Sequence, residues 1–155
     1  MRVKVLGCGN LLSYDEGVGI HAIRILREGM LPPEVELMEL GKPGMDLITS
    51  LENCRHLIII DAMAKGEKPP GTVHRFDITA RNMEKVLGGT IHGFNLMVPL
   101  KLLHGSGKKK ETSITLLAME IKERTLFGVG LSAEVKEGLE YLLDMTWHEL
   151  SRVER

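Results

Sequence analysis

Four consecutive aliphatic residues, LIII at positions 57–60, stand between a basic dipeptide and Asp61. A strand with one face in solvent alternates apolar and polar side chains, whereas an unbroken apolar run suits a strand buried on both faces. Parallel strands joined by helices form sheets that are covered on both faces, and their strands have apolar runs of this kind. The run therefore predicts a central strand over 55–61 and an α/β fold around it.

Strand and helix patterns alternate along the rest of the chain. The other predicted strands are 2–6, 34–40, 71–78 and 112–120. The segment 71–78 alternates polar and apolar residues and is expected near an edge of the sheet. This order of elements predicts a three-layer α/β/α domain with a twisted, mostly parallel sheet, and no linker divides residues 1–155.

Helical spacing predicts three helices over 16–28, 44–51 and 96–104. A fourth helix is predicted after Ser132, which is expected to be its N-cap. Pro99 is expected in the first turn of the third helix or at a kink, because it lacks a backbone N–H group. The residues expected to face the core are Val18, Ala22, Ile25 and Leu26 in the first helix, Leu47, Ile48 and Leu51 in the second, and Val135, Leu139, Leu142, Leu143, Trp147 and Leu150 in the last.

The composition argues against several classes of function. A chain of 155 residues with 43% hydrophobic residues suits one globular domain. Its formal net charge of -1 and its 4% aromatic content predict neither a basic surface nor stacking platforms for nucleic acid. Cys8 and Cys54 form no CxxC pair and fit reduced thiols. No apolar run has the length of a signal-peptide core or a membrane span, so we expect a soluble cytoplasmic protein without membrane insertion.

Carboxylates follow three of the predicted strands. Asp15 and Glu16 come after the first strand, and Glu39 and Asp61 end the second and third. The carboxyl ends of parallel strands meet at one edge of the sheet, where functional groups gather. Each acid also has a structural explanation, because Asp61 could cap the next turn, Asp15 could be a helix N-cap, and Glu16 could favour the helix dipole. Their convergence from separate strands favours a functional site.

His92, in the segment TIHGFN, could join these carboxylates from a loop that follows small residues at 88–90. Two carboxylates and one imidazole form a mixed oxygen and nitrogen ligand set that suits zinc, nickel or ferrous iron. Cys8 could instead pair with His92 as a nucleophile. A small buried side chain at a strand end is the favoured interpretation of Cys8.

Gly7 and Gly9 also suggest a dinucleotide-binding turn, as a nucleotide-dependent oxidoreductase would have. The GxGxxG pattern has Leu12 at its third glycine position, although Glu39 lies near the place of the ribose-binding acid. The two acids of the turn would repel a pyrophosphate. Nucleotide binding is therefore the minor alternative, and the glycines are expected to let the chain turn sharply off the first strand.

Several segments resemble, in order and spacing, the hydrogenase maturation endopeptidases, which process the large subunit of nickel–iron hydrogenases. GCGNLLSYDEGVG resembles the family's GxGNxLxxDxGxG-type opening, and MELGKPGMDLI resembles its acidic and glycine segment after the second strand. The family's third-strand aspartate, with the turn and edge strand that follow it, is resembled by HLIIIDAMAKGEKPPGTVHRFD. Its loop histidine is resembled by TIHGFNL, and its last glycine turn and helix are resembled by GVGLSAEVKEGLEYLLD. The ordered set covers nearly the whole chain and implies a five-stranded twisted sheet between helical layers.

The resemblance implies that Glu16, Asp61 and His92 contact nickel already inserted in the precursor of the hydrogenase large subunit. It also implies that the enzyme, an aspartic-type endopeptidase, removes a C-terminal extension by a single cut. The nickel could seat the peptide or polarise the scissile carbonyl or a water, and Glu16 or Asp61 could be the general base. Asp15 and Glu39 are possible helpers, although Glu39 stands where relatives often have Asp. A non-catalytic nickel-binding maturation chaperone is the second alternative.

Overall fold

The structure is a computed structural model that describes residues 2–41, 47–48, 51, 53–105, 112–122 and 127–153. The strands are β1 (Arg2–Cys8), β2 (Val35–Leu40), β3 (Cys54–Met63), β4 (Val73–Ile78) and β5 (Ser113–Glu120). The helices are α1 (Val18–Glu28), α2 (Met83–Leu87), α3 (Gly93–Gly105) and α4 (Ala133–Val153), and a 3-10 turn, Tyr14–Gly17, precedes α1. No helix in these residues is long and apolar enough to cross a membrane.

The strands form one five-stranded sheet in the order β2-β1-β3-β5-β4. All neighbours are parallel except β4, which runs antiparallel to β5 at the edge. The predicted mostly parallel sheet is thus confirmed, as is the edge position of the segment 71–78. An antiparallel edge strand is a common addition to a parallel sheet.

The central strand β3 is buried on both faces, as its aliphatic run predicts. Ile58 and Ile60 pack in one apolar layer with α1 and α4, whereas Leu57 and Ile59 pack in a second layer with α2 and α3. Successive side chains of a strand point to opposite faces, so one uninterrupted run supplies both layers. The three-layer architecture follows from this double burial.

Two predictions for inward-facing helix residues are wrong. Ile25 in α1 is 43% exposed, and Ile23 occupies the core in its place. Trp147 in α4 lies partly in solvent, whereas Val135, Leu139 and the other predicted aliphatic residues of that helix are buried or half-buried. In both helices the buried face is narrower than the apolar face that the sequence predicts, because neighbouring elements cover only part of that face.

The third predicted helix is longer than expected. It begins at Gly93, so Pro99 lies inside α3 and not in its first turn. The predicted helix over 44–51 falls largely outside the described residues. Within it, Leu47 and Ile48 are helical, and the N–H of Leu51 donates to the carbonyl of Leu47 over 3.0 Å.

The main role of the glycines in the opening segment is to let the backbone of α1 approach the backbone of β1, and not to form a sharp turn. Gly7 lies inside β1, and a Cβ atom there would stand 2.2 Å from the carbonyl oxygen of Gly19 in α1. A Cβ atom on Gly19 would in turn stand 2.2 Å from the carbonyl oxygen of Cys8. Only glycine at these positions lets α1 lie directly on β1. Gly19 therefore has the helix-packing role that the sequence pattern placed at Leu12.

Candidate active site

Asp61 and His92 form a hydrogen-bonded pair at the carboxyl end of β3. Asp61 is 0% exposed. Its Oδ1 accepts from the backbone N–H of Ala62 over 2.8 Å and lies 2.7 Å from His92 Nδ1, while its Oδ2 accepts from the backbone N–H of His92 over 2.9 Å. The carboxylate therefore holds both the backbone and the ring of the histidine.

The segment before His92 is joined to β3 by backbone contacts. Thr90 forms an antiparallel bridge with Met63, and the N–H of Ile91 donates to the carbonyl of Ala62 over 2.9 Å. These contacts bring a loop 31 residues away in sequence onto Asp61. Since a carboxylate only accepts hydrogen bonds, Nδ1 of His92 carries the proton of this bond and Nε2 is the ring atom left for a ligand.

The charge around His92 alters its titration. Burial lowers the pKa of His92, but the hydrogen bond and negative charge of Asp61 and the charge of Glu16 more than offset it, so the pKa lies above its ordinary value. Glu16 is half-buried in the 3-10 turn between β1 and α1. Asp61 and His92 are thus in direct contact, and Glu16 acts on the imidazole through its charge.

The three predicted metal ligands are neighbours but do not form a ready metal cluster. Within the described part of the chain, no group of three His, Cys, Asp or Glu side chains is arranged to hold a metal ion. The oxygens of Asp61 are already engaged by Ala62 and His92. Joint ligation of nickel by Glu16, Asp61 and His92 therefore stays a prediction.

Asp15 is not the N-cap of α1, so that structural explanation is wrong. Its buried carboxylate accepts from the backbone N–H of Ser132 over 2.7 Å and from the Ser132 hydroxyl over 2.8 Å. Ser132 immediately precedes α4, and its Oγ lies 3.4 Å from the N–H of Val135, which confirms it as the N-cap of that helix. Asp15 thus ties the turn that carries Glu16 to the start of α4.

Glu39 is directed away from the Asp61–His92 pair. Its Oε1 accepts from Arg24 Nε over 3.0 Å and from an Arg27 guanidinium nitrogen over 3.2 Å, both on α1. The hydrogen bond from Arg24 is the main reason that the pKa of Glu39 is lowered, and the charges of both arginines add to it. Glu39 was expected to join the other carboxylates at the sheet edge, but it forms ion pairs with two arginines of α1 instead.

Cys8 lies at the end of β1 and is fully buried. Burial raises the pKa of its thiol well above the usual value, and the negative charge of Asp61 raises it further. A thiolate is the nucleophilic form of cysteine, so this environment disfavours Cys8 as a nucleophile. The interpretation of Cys8 as a small buried side chain is confirmed.

A second buried carboxylate at the same edge of the sheet was not identified from the sequence. Glu120 ends β5, is buried, and lies 3.5 Å from Nε2 of His74 on β4. The rule that identified Asp61 applies to Glu120, because it also follows an apolar run at the end of a parallel strand. Glu120 of β5 therefore lies at the same edge as Asp61 of the adjacent strand β3, and an imidazole nitrogen lies 3.5 Å from its carboxylate.

Comparison with known proteins identifies the family of this chain and agrees with its fold. Residues 20–149 match the family described as hydrogenase maturation protease, and the chain belongs to that family. The hydrogenase 2 maturation protease of Escherichia coli K12 is 40% identical over 74 residues, which are 47% of this chain and 45% of that relative. A putative hydrogenase maturation protease of Methanocaldococcus jannaschii is 27% identical over 154 residues, 97% of each chain.

Solved structures of related proteins have the same fold. The hydrogenase maturating endopeptidase HybD from E. coli superposes with a TM-score of 0.85 at 28% identity, over 99% of this chain and 94% of that one. The nickel–iron hydrogenase maturation protease HybD from Thermococcus kodakarensis gives a TM-score of 0.81 at 29% identity, over 97% and 99% of the two chains. The α/β fold expected from the sequence is thus shared with these proteins.

Proposed function

We propose that this protein is an endopeptidase that removes a C-terminal extension from the nickel-loaded large-subunit precursor of a nickel–iron hydrogenase. The observation that carries the proposal is the buried Asp61 that orients His92 at the carboxyl edge of the sheet, with Glu16 near enough to act on the ring. Membership of the hydrogenase maturation protease family supplies the class of substrate.

Nickel enters this proposal as part of the substrate. A neutral imidazole nitrogen and a carboxylate oxygen are suitable ligands for it. Besides Asp61, whose oxygens also accept hydrogen bonds from Ala62 and His92, the site has His92 Nε2 and the Glu16 carboxylate as groups of this kind. Contact with these groups would align the adjacent peptide and restrict cleavage to one bond. Nickel bound there can also polarise a carbonyl or a water.

The carboxylates have different roles in this scheme, although the family resemblance implies an aspartic-type enzyme. Asp61 positions His92, because its oxygens accept three hydrogen bonds from His92 and Ala62. Glu16 lies half-buried at the same edge and is the group we assign to nickel contact or to accepting a proton from the attacking water. Asp15 holds the Glu16 turn in place through Ser132.

The test is to incubate the protein with nickel-loaded and nickel-free precursor and to follow the mass of the large subunit. We expect loss of the extension from the nickel-loaded form alone. Equal cleavage of both forms would contradict nickel recognition, and binding of the precursor without any change in mass would identify a maturation chaperone. Asp61→Asn should slow cleavage strongly, whereas Asp144→Asn, at an exposed position of α4, should leave it unchanged.

A further inference from the structure

An exposed apolar surface lies beside the turn that carries Glu16. Leu12 is 60% exposed, Phe127 is 82% exposed and Val129 is 73% exposed. Single exposed apolar residues are ordinary, but a group of large ones at one place marks an interaction site. Together these three residues form the Leu12–Phe127–Val129 surface.

Two chain segments hold this surface together. Ser13 and Gly128 form a parallel bridge, in which the N–H of Gly128 donates to the carbonyl of Leu12 over 2.7 Å and the N–H of Tyr14 donates to the carbonyl of Gly128 over 3.0 Å. This register sets Leu12 beside Phe127 in the neighbouring segment. The Tyr14 ring lies against Gly128, where a Cβ atom would stand 1.9 Å from it. The surface is therefore built on paired backbone.

The same contacts fasten the surface to the candidate active site. Leu12 is four residues from Glu16, a separation of at most about 14 Å along the chain. Asp15, between them, accepts both hydrogen bonds from Ser132, which is three residues beyond Val129. Both segments of the surface are thus tied to the turn that presents Glu16.

We infer that the Leu12–Phe127–Val129 surface binds an extended, apolar segment of the precursor next to the scissile bond. This inference rests on the proposed function, because an endopeptidase must hold a polypeptide at its site, and this surface adjoins that site. The extended form follows from the backbone. Gly128 directs its N–H and C=O to the first segment, so those of Phe127 and Val129 point to the opposite side, where a peptide can add as a strand.

The experiment compares Phe127→Ser and Val129→Ser with Met30→Ser, a control at a residue that is 96% exposed and lies just beyond α1. Steady-state cleavage of the nickel-loaded precursor is measured, together with the precursor's dissociation constant and the melting temperature of each variant. We expect Phe127→Ser to raise KM and the dissociation constant about tenfold with kcat within about twofold, since truncation of an exposed apolar anchor removes binding. Met30→Ser should change neither quantity.

Different results of this experiment would contradict the docking surface and the endopeptidase function. If the wild type cleaves and Phe127→Ser cleaves with an unchanged KM, the docking surface is wrong while the endopeptidase proposal stands. If the wild type binds the precursor without cutting it, the function is wrong, and weaker binding by Phe127→Ser still supports the surface. A change of oligomeric mass in Phe127→Ser with unchanged precursor affinity would show that a second copy of the chain covers this surface and would overturn the inference.

Discussion

Asp61 determines how His92 can act, because it fixes the protonated ring nitrogen and the orientation of the ring. The pair is made by a 2.7 Å side-chain contact and a 2.9 Å bond to the histidine backbone. Such a carboxylate raises the basicity of the imidazole and leaves its second nitrogen for a ligand. The function proposed for this site therefore depends on one buried acid and the ring that it holds.

Asp61→Asn should lower the pKa of His92, because the amide replaces the negative charge that stabilises the imidazolium. In the wild type the pKa of His92 lies above its ordinary value of 6.5. The resulting stabilisation of the fold is fully present below 6.5 and is lost as the pH rises through the raised value. An NMR titration of the ring signals measures both pKa values, with Asp144→Asn as the control. Equal pKa values in wild type and Asp61→Asn would refute this coupling.

At the scale of elements, the turn before α1 is held by the start of α4. Asp15 contributes no cap to α1 and instead accepts hydrogen bonds from the N–H and the hydroxyl of Ser132. Close contact between Gly7 and Gly19 seats α1 on β1 at the same time. Glu16 therefore stands between two anchored elements, and its position depends on contacts that are distant in sequence.

Ser132→Ala should lower the free energy of unfolding by about 1 to 2 kcal/mol, because it removes the hydroxyl bond to a buried carboxylate and the N-cap of α4. Urea unfolding measures the change. Ser151→Ala is a matched control, since Ser151 is an exposed serine of α4 whose hydroxyl donates to a backbone carbonyl, and it should cost less than about 0.5 kcal/mol. Ser132→Thr should restore stability. A Ser132→Ala protein as stable as the control would contradict the anchoring role of this bond.

At the scale of the whole molecule, ion pairs connect the sheet to its outer layers. Arg75 on the edge strand β4 donates to Glu149 on α4 through Nε and, over 3.2 Å, through a second guanidinium nitrogen. The bond from Arg75 is the main cause of the lowered pKa of Glu149, which burial partly opposes. The pair joins α4 to the antiparallel edge strand of the sheet.

Glu149→Gln should reduce stability at neutral pH by about 2 kcal/mol, the usual size for a hydrogen bond to a charged group. Because the folded pKa of Glu149 lies below its ordinary value of 4.5, this contribution is present above 4.5 and is lost as the pH falls through the lowered value. Urea unfolding at pH 7 and in acid tests the difference, with the exposed Glu140→Gln as control. A wild-type advantage that persists unchanged in acid would exclude this ion pair as its source.

Local patterns in the amino-acid sequence were enough to predict the sheet, its doubly buried central strand and the position of Asp61 at the end of that strand. These features depend on the local spacing of apolar residues. Burial of one or both faces of an element determines that spacing, so the sequence alone shows it. The same rule applied to 112–120 identifies Glu120. It could not identify the partner of Glu39, because Arg24 and Arg27 are reached only once α1 has docked on β2.

The pairing of polar groups depends on the tertiary structure. Asp15 and Ser132 are 117 residues apart, and Asp61 and His92 are 31 apart. The inward face of α1 likewise includes Ile23 and excludes Ile25, because the docking angle of a helix selects which part of its apolar stripe is covered. Periodicity indicates which face of an element is apolar, whereas the side chains that become covered and the partners that they contact depend on how separately formed elements pack together.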